Sequence, residues 1–451
     1  MTNKQQAAVD FTQGPLGQAL VQLVVPMFMG MVMIALVGVV DAYFIGMLGT
    51  EALAAFGLCY PAVMLMQALM FGLANGITAS MSQARGRRRG LALGGPERLR
   101  VRVSLLMAFG LSTSLAVLGA LLGPAAFRYA ASAPIAELAI AYYYPYLVSL
   151  VLLSIPMSFT ACMRGFGETR SSATVMALGS LFNAGLDPLL MFGWGPIPAF
   201  GMAGASISTA AAYCISSSYA SWLMYRTLKG SSRSLDGELS AMKVFGEVRA
   251  IGGPAMLAQV LGPVVSAIVT TLAASFGTAA LAALGIMQRI DFLVVMVPVA
   301  TGSGLMPLVG QLAGGGQRHR AALALRLGRR AMLGWGLGVG LLLNVAAMPL
   351  ARAFTEQLEV MQIVRLALWF APFGYMGAGL NVTTMSCFNA VGQPMLATKL
   401  SAIFALLLVP ALAFAGSQTL GLAGLFLGMI CASGIAAWIG TRWIRLADLS
   451  V

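Results

Sequence analysis

Ten stretches of this chain contain no Asp, Glu, Lys or Arg and run for about 20 residues or more: 11–40, 52–84, 103–127, 138–163, 188–225, 250–288, 292–317, 331–351, 366–398 and 400–441. About 20 apolar residues of helix cross a hydrocarbon core ~30 Å thick. In lipid the backbone has to satisfy its own polar groups, which leaves helices as the folded form for runs of this length. Only 9% of residues are charged, against roughly a quarter in soluble domains, so a water-soluble enzyme is excluded. Three runs contain turn signals, at Gly193-Trp194-Gly195-Pro196, Ser275-Phe276-Gly277-Thr278 and Gly416-Ser417-Gln418, and each reads as two segments. The segment after Gly277 continues through Arg289 and Asp291 into the next run. The reading is twelve transmembrane helices in an all-α membrane protein.

The first stretch is too long for a cleavable leader and reads as a retained helix. Cys59, Cys162, Cys214, Cys387 and Cys431 all fall in or beside apolar runs, with no Cys-x-x-Cys spacing and a single His in the chain. They read as buried free thiols, and neither a zinc site nor a disulfide framework is expected.

The net charge of +13 is open to two explanations, nucleic acid or membrane topology. Placed on twelve spans, only Arg128, Arg352 and Arg365 fall on one side and Arg289 within a span; the other Lys and Arg lie on the opposite side. That asymmetry puts both termini in the cytoplasm, and it makes nucleic acid unnecessary, since anionic lipid and insertion topology account for the charge. The clusters at 85–102, 226–249 and 318–330 read as cytoplasmic loops.

The chain also repeats itself. Residues 49–57, GTEALAAFG, recur at 277–285 as GTAALAALG, an offset of 228 that also carries Pro26 onto Pro254, Gln83 onto Gln311 and Gly86 onto Gly314. Cys162 to Gly167 likewise matches Cys387 to Gly392, and Gly201-Met-Ala-Gly204 matches Gly421-Leu-Ala-Gly424. Two six-helix lobes follow, residues 1–228 and 250–451, joined by a cytoplasmic linker at 229–249 whose Gly/Ser-rich start reads as irregular and mobile. Six is even, so the repeats are parallel, as in carriers whose halves rock about a central cavity.

An ionisable group inside a span costs at least ~2.5 kcal/mol and marks a function or a partner. There are four: Asp41, Asp187, Arg289 and Asp291. Asp41 closes the first span, and Pro26 weakens the same helix by removing a backbone donor, making it a candidate hinge. Asn183 and Asp187, four apart, share a face, and Pro188 frees the carbonyl of Ala184. A carboxylate, an amide oxygen and a free carbonyl suit a proton or a hard cation such as sodium. At the repeat offsets Asp41 corresponds to Val269, Asp187 to Val409 and Asn183 to Ala405, so the acids belong to one lobe only. Arg289 and Asp291 point to different faces and read as a gating or structural ion pair, each with a group on another helix. Met33, Tyr43, Phe56, Tyr60, Met64, Gln67, Asn75, Gln259 and Gln288 are candidates for the substrate cavity, on the ground that methionines and aromatics make adaptable apolar pockets.

Taken in order, the duplicated Gly49-Thr50-x-Ala-Leu-Ala-Ala block, Arg164-Gly165-x-Gly167-Glu168-Thr169-Arg170, Asn183-x-x-x-Asp187-Pro188 and Gly201-x-Ala-Gly204-Ala205-x-Ile-x-Thr209 resemble the multidrug and toxic compound extrusion (MATE) transporters over essentially the whole chain. The best match is to the prokaryotic DNA-damage-inducible F subfamily. The resemblance implies a V-shaped pair of six-helix bundles in a bacterial inner membrane, acting as a monomer and expelling small cationic or amphipathic drugs in exchange for H+ or Na+, with no other cofactor. It implies Asp41, Asn183, Asp187 and Thr209 as coupling residues, with the Ala205 carbonyl as a further ligand and no other metal site. Two other functions have to be weighed. A lipid-linked precursor flippase of the same superfamily calls for basic residues in the cavity and often extra helices, and this chain has only Arg289 within a span. An intramembrane aspartyl protease calls for a Gly-x-Gly-Asp signature that is absent.

Overall fold

The computed structural model describes residues 14–88, 93–229 and 239–445. Among them the chain is helical apart from short connections and one isolated bridge between Trp194 and Ile197. Two compact units are present, and neither follows the chain in one piece. The first comprises residues 25–81, 88, 93–229 and 239–256, and the second residues 14–24, 82–87 and 257–445.

The first unit is built on α1 (Leu16–Met47), α2 (Thr50–Arg87), α3 (Gly95–Ala130), α4 (Ala133–Phe166), α5 (Thr169–Phe192) and α6 (Met202–Leu228). The central rod is α4, with 72% of its apolar window buried. It is tied to α6 by hydroxyl bonds that satisfy both partners without water: Ser149 donates to the Ser206 carbonyl at 2.9 Å, and Ser206 to the Tyr142 carbonyl at 2.6 Å. The second unit takes most of α7 (Ala241–Ala274), followed by α8 (Thr278–Gly314), α9 (Arg318–Val345), the short α10 (Ala347–Arg352), α11 (Leu358–Trp369), α12 (Ala371–Ala390), α13 (Pro394–Ala402), a π-helical turn at Ile403–Leu408 and α14 (Val409–Trp443).

Eight helices are long and apolar enough to cross a membrane on their own, counting 394–443 as one; α11 and α12, bent by 54°, together make a ninth. The run 394–443 is broken at Leu420 and Gly421, where the backbone leaves helical angles, and so supplies two rods. With α6 and α9, which are more polar, the rods are the twelve expected.

The duplicated motifs are the places where the backbone needs glycine. Gly167 ends α4 at φ 89° and Gly392 follows α12 at φ 79°. In both, a left-handed residue lets the next amide reach back into the last turn, Glu168 N to Met163 O at 2.9 Å and Gln393 N to Phe388 O at 2.9 Å. Gly201 and Gly421 adopt φ 56°, ψ −131° and φ 59°, ψ −138°, a conformation that side chains with a Cβ avoid.

Three expectations need correcting. The basic clusters are largely helix ends, not loops: Arg98, Arg100 and Arg102 lie in α3, Arg226 in the last turn of α6, and 318–330 in α9. The linker is shorter than 229–249. Its residues 230–238 lie outside the described residues, and α7 already begins at Ala241 because Val244 and Val248, one turn apart, are both buried in the first unit. All five cysteines are free, but Cys214 and Cys431 are exposed while Cys59, Cys162 and Cys387 are buried.

Candidate functional site

The first unit brings Asp41 of α1 against Asp187 of α5. Their carboxyl groups are close neighbours, and Asp187 is completely buried. Asp41 Oδ1 and Asp187 Oδ2 are both sealed from solvent with no donor directed at them. A buried oxygen left in this state is costly, so two such oxygens on neighbouring carboxyl groups make a place that favours a proton or a cation.

The other side of Asp187 is satisfied. Its Oδ1 accepts a short hydrogen bond from the Ser208 hydroxyl and a longer one from Asn183 Nδ2 at 3.4 Å. Asn183 Nδ2 also lies 3.1 Å from Ser208 Oγ and 3.3 Å from Thr209 Oγ1. Thr209 donates to the Ala205 carbonyl at 2.9 Å, and Ser208 Oγ, its one proton directed at Asp187, lies 2.8 Å from the same oxygen. This cluster exists because α5 and α6 cross closely at Gly204, where an added Cβ would stand 2.5 Å from the Leu190 carbonyl oxygen. That carbonyl is itself held by the Phe200 amide at 2.9 Å. Pro188 lies inside α5, which runs on to Phe192; having no N–H, it leaves the Ala184 carbonyl without its helical donor.

Asp41, Asn183, Asp187, Ala205 and Thr209 are thus gathered in one place. Sequence reasoning missed Ser208, which makes the shortest contact to Asp187; its spacing of three from Ala205 is the only signal it offers. It also missed Tyr142 and Tyr213, close enough to Asp41 to feel its charge. Pro26 lies 15 residues before Asp41 on the same continuous helix, ~22 Å along the axis, and takes no direct part in the cluster.

The cavity candidates are divided between the two units. Phe56 packs edge-on against Tyr142 with ring centres 5.5 Å apart, and Gln67 donates to the Tyr146 hydroxyl at 3.4 Å, so these two stand on the aromatic wall next to Asp41. Met33, Met64 and Asn75 are half-buried, and Tyr43 and Tyr60 are exposed. Gln259 and Gln288 belong to the second unit, where both are exposed and Gln288 lies 3.3 Å from Ser266.

Arg289 and Asp291 do not form an ion pair with each other. Two positions apart, they leave the helix ~200° around its axis from one another. Asp291 accepts instead from the Tyr375 hydroxyl at 2.7 Å, a neutral partner on α12, and Arg289 is exposed. Among the described residues no group of three or more His, Cys, Asp or Glu could hold a metal ion.

Twelve helices in two duplicated sets, with an acid pair sealed in one set, define a membrane transporter and not an enzyme. The MatE family model matches residues 26–189 and 254–414, two blocks that start at Pro26 and Pro254 and so reproduce the 228-residue offset. The chain belongs to the MatE family. It is 28% identical over 422 residues to the FAD transporter of Shewanella oneidensis, covering 92% of this chain and 91% of that one. It is 29% identical to a probable multidrug resistance protein NorM of Deinococcus radiodurans over 68% of this chain and 65% of the relative. The crystal structure of the Vibrio cholerae MATE transporter VcmN in its bent form superposes with a TM-score of 0.85 at 28% identity, covering 96% of this chain and 97% of that one.

Proposed function

We propose that this chain is a proton-coupled exporter of small cationic and amphipathic compounds, embedded in a bacterial inner membrane with both termini in the cytoplasm, and that Asp41 and Asp187 together hold the coupling proton. The observation that carries the reading is the pair of donorless oxygens, Asp41 Oδ1 and Asp187 Oδ2, on two neighbouring carboxyl groups. One proton needs two oxygens. Sodium needs several more, and the oxygens nearest to hand are engaged: the Ser208 hydroxyl lies between Asp187 and Asn183, and the Ala205 carbonyl accepts from Thr209. The proton therefore fits the arrangement better.

The same geometry supplies a drive. With the proton lost, two negative charges face each other; at 4 Å and an effective dielectric of 20 their repulsion is ~4 kcal/mol, enough to part α1 from α5 or to favour a cationic cargo nearby. Re-protonation removes that repulsion and lets α1, weakened at Pro26, settle back while the cargo leaves. Coupling needs only that proton and cargo prefer different states of the chain.

The resemblance to a FAD transporter over nine-tenths of both chains favours a second reading of the cargo, as flavin dinucleotide. One experiment separates the two. Purified protein in liposomes is given an imposed pH gradient or an imposed sodium gradient, with a fluorescent cationic dye or FAD as cargo. Dye movement under the pH gradient alone, lost in Asp41→Asn and in Asp187→Asn with folded protein retained, is the expected result. FAD movement without dye movement replaces the cargo; normal transport by both variants overturns the coupling site.

A further inference from the structure

At one end of the first unit α3 begins where α6 finishes: Arg98 Nη2 donates to the Leu228 carbonyl at 2.7 Å. Between these two helices and α4 lies a groove of about 590 Å³. Its lining changes character with depth. Arg98, Arg102 and Lys229 stand at the helix ends, and Arg98 and Arg102, four apart, share a face. Leu105, under a turn beyond Arg102, lines the groove with Phe159 and Met224, Ser221 is the one uncharged hydroxyl residue on the α6 wall besides Tyr225, and no carboxylate is among the lining residues.

Neighbouring residues place this end at a membrane–water boundary. The Arg226 guanidinium lies over the Trp222 ring at 4.8 Å, in the last turns of α6. Trp and long cationic side chains together at helix ends are the composition of an interfacial belt. The duplication adds a second observation. At the 228-residue offset Arg98 and Arg102 correspond to Arg326 and Arg330. The acids of the coupling site occur in one lobe, whereas these cations occur in both. A feature tied to cargo or ion would follow the acids; one present in both lobes answers to what both lobes face.

We propose that the groove between α3, α4 and α6 binds an anionic phospholipid, its phosphate against Arg102, Lys229 and Arg98 and an acyl chain along Leu105, Phe159 and Met224. Charge at the mouth and hydrocarbon at the floor match the two halves of one lipid molecule, and a free phosphate would leave the floor uncovered. The groove in the second unit bounded by Leu272, Leu407, Pro410 and Phe414, about 460 Å³, carries no charged residue, and accordingly offers no preference among headgroups.

The test uses the full chain in neutral detergent, titrated with phosphatidylglycerol, phosphatidylcholine or glycerol phosphate, with bound molecules counted by native mass spectrometry. Arg102 and Lys229 are exposed, so Arg102→Gln with Lys229→Gln leaves the fold intact. About fivefold in affinity per interfacial cation predicts that the double variant binds phosphatidylglycerol roughly thirty-fold more weakly. Phosphatidylcholine binding stays as it was, and Arg102→Lys with Lys229→Arg keeps the tight binding. Unchanged phosphatidylglycerol affinity in the neutral double variant, or equal affinity of the native chain for both lipids, overturns the proposal. Full displacement of phosphatidylglycerol by glycerol phosphate also overturns it, by assigning the site to a soluble phosphate.

Discussion

Replacing Gly204 by Ala tests whether the coupling cluster depends on the close crossing of α5 and α6. The new Cβ would stand 2.5 Å from the Leu190 carbonyl oxygen, 2.7 Å from its carbon and 2.8 Å from Met191 Cα, against an ordinary contact of 3.4 Å or more. The helices would have to separate by about 1 Å. Leu190 O cannot swing aside, because the Phe200 amide holds it at 2.9 Å and the Gly201 amide holds Met191 O at 3.1 Å. Overpacking of a fixed contact costs about 1–3 kcal/mol, or a fall in Tm of roughly 2–10 °C for a unit of this size. The same separation stretches Asn183 to Ser208 from 3.1 Å beyond hydrogen-bond range, so transport should fall further than stability does. The control is Gly185→Ala, also on α5, where an added Cβ meets nothing within 4 Å. A thermal scan of the detergent-purified variants, with dye export from liposomes alongside, reads both effects. If Gly204→Ala matches Gly185→Ala in both measurements, the close crossing has no part in holding the cluster.

Further outcomes follow from the same structure. Ser208→Ala removes the strongest donor to Asp187, a contact worth about 1.5–3 kcal/mol to a charged group; export should fall at least tenfold in the liposome assay and the Tm by roughly 3–12 °C, while Ser218→Ala, at an exposed hydroxyl on the same helix, changes neither. Arg100 and Glu247 form an ion pair at 2.5 Å, with the arginine 7% and the glutamate 28% exposed. Glu247→Gln alone should destabilise the chain by about 2 kcal/mol, whereas Arg100→Met with Glu247→Met should come close to neutral by chemical denaturation. Gly421→Ala forces a Cβ into φ 59° and should lower stability by about 1–2 kcal/mol. Exchange of one proton for one monovalent cation moves no net charge, so dye export should not respond to a potassium-diffusion potential. A second coupling ion would add ~2.3 kcal/mol per 100 mV and make export voltage-dependent.

The twelve rods were legible because each is announced by a charge-free run, and the two lobes because the glycines at 167 and 392, and at 201 and 421, perform the same backbone task in both copies. The two acids proposed to couple stood out by asymmetry, Asp41 and Asp187 against valines in the other lobe. What stayed hidden depends on contacts distant in sequence. The Tyr375 hydroxyl that serves Asp291 lies 84 residues away, and nothing local distinguishes Ser208 from the many other serines of α6. The basic clusters looked like loops because charge density ends an apolar run, yet Arg100 continues as helix since Glu247 and Ser80 receive its guanidinium. The bend between α11 and α12 has a physical cause in Pro372, which has no N–H to carry the helical ladder across the junction, but its size could not be read from sequence.

The most direct test of a shared proton is to count it. Proton uptake by the purified chain on acidification can be measured for the native protein, Asp41→Asn, Asp187→Asn and the double variant. A single shared site predicts that, over the pH range in which export switches on, the native chain takes up one proton and each single substitution removes as much of that uptake as the double variant does. Losses that sum to two, one for each acid independently, would contradict the account.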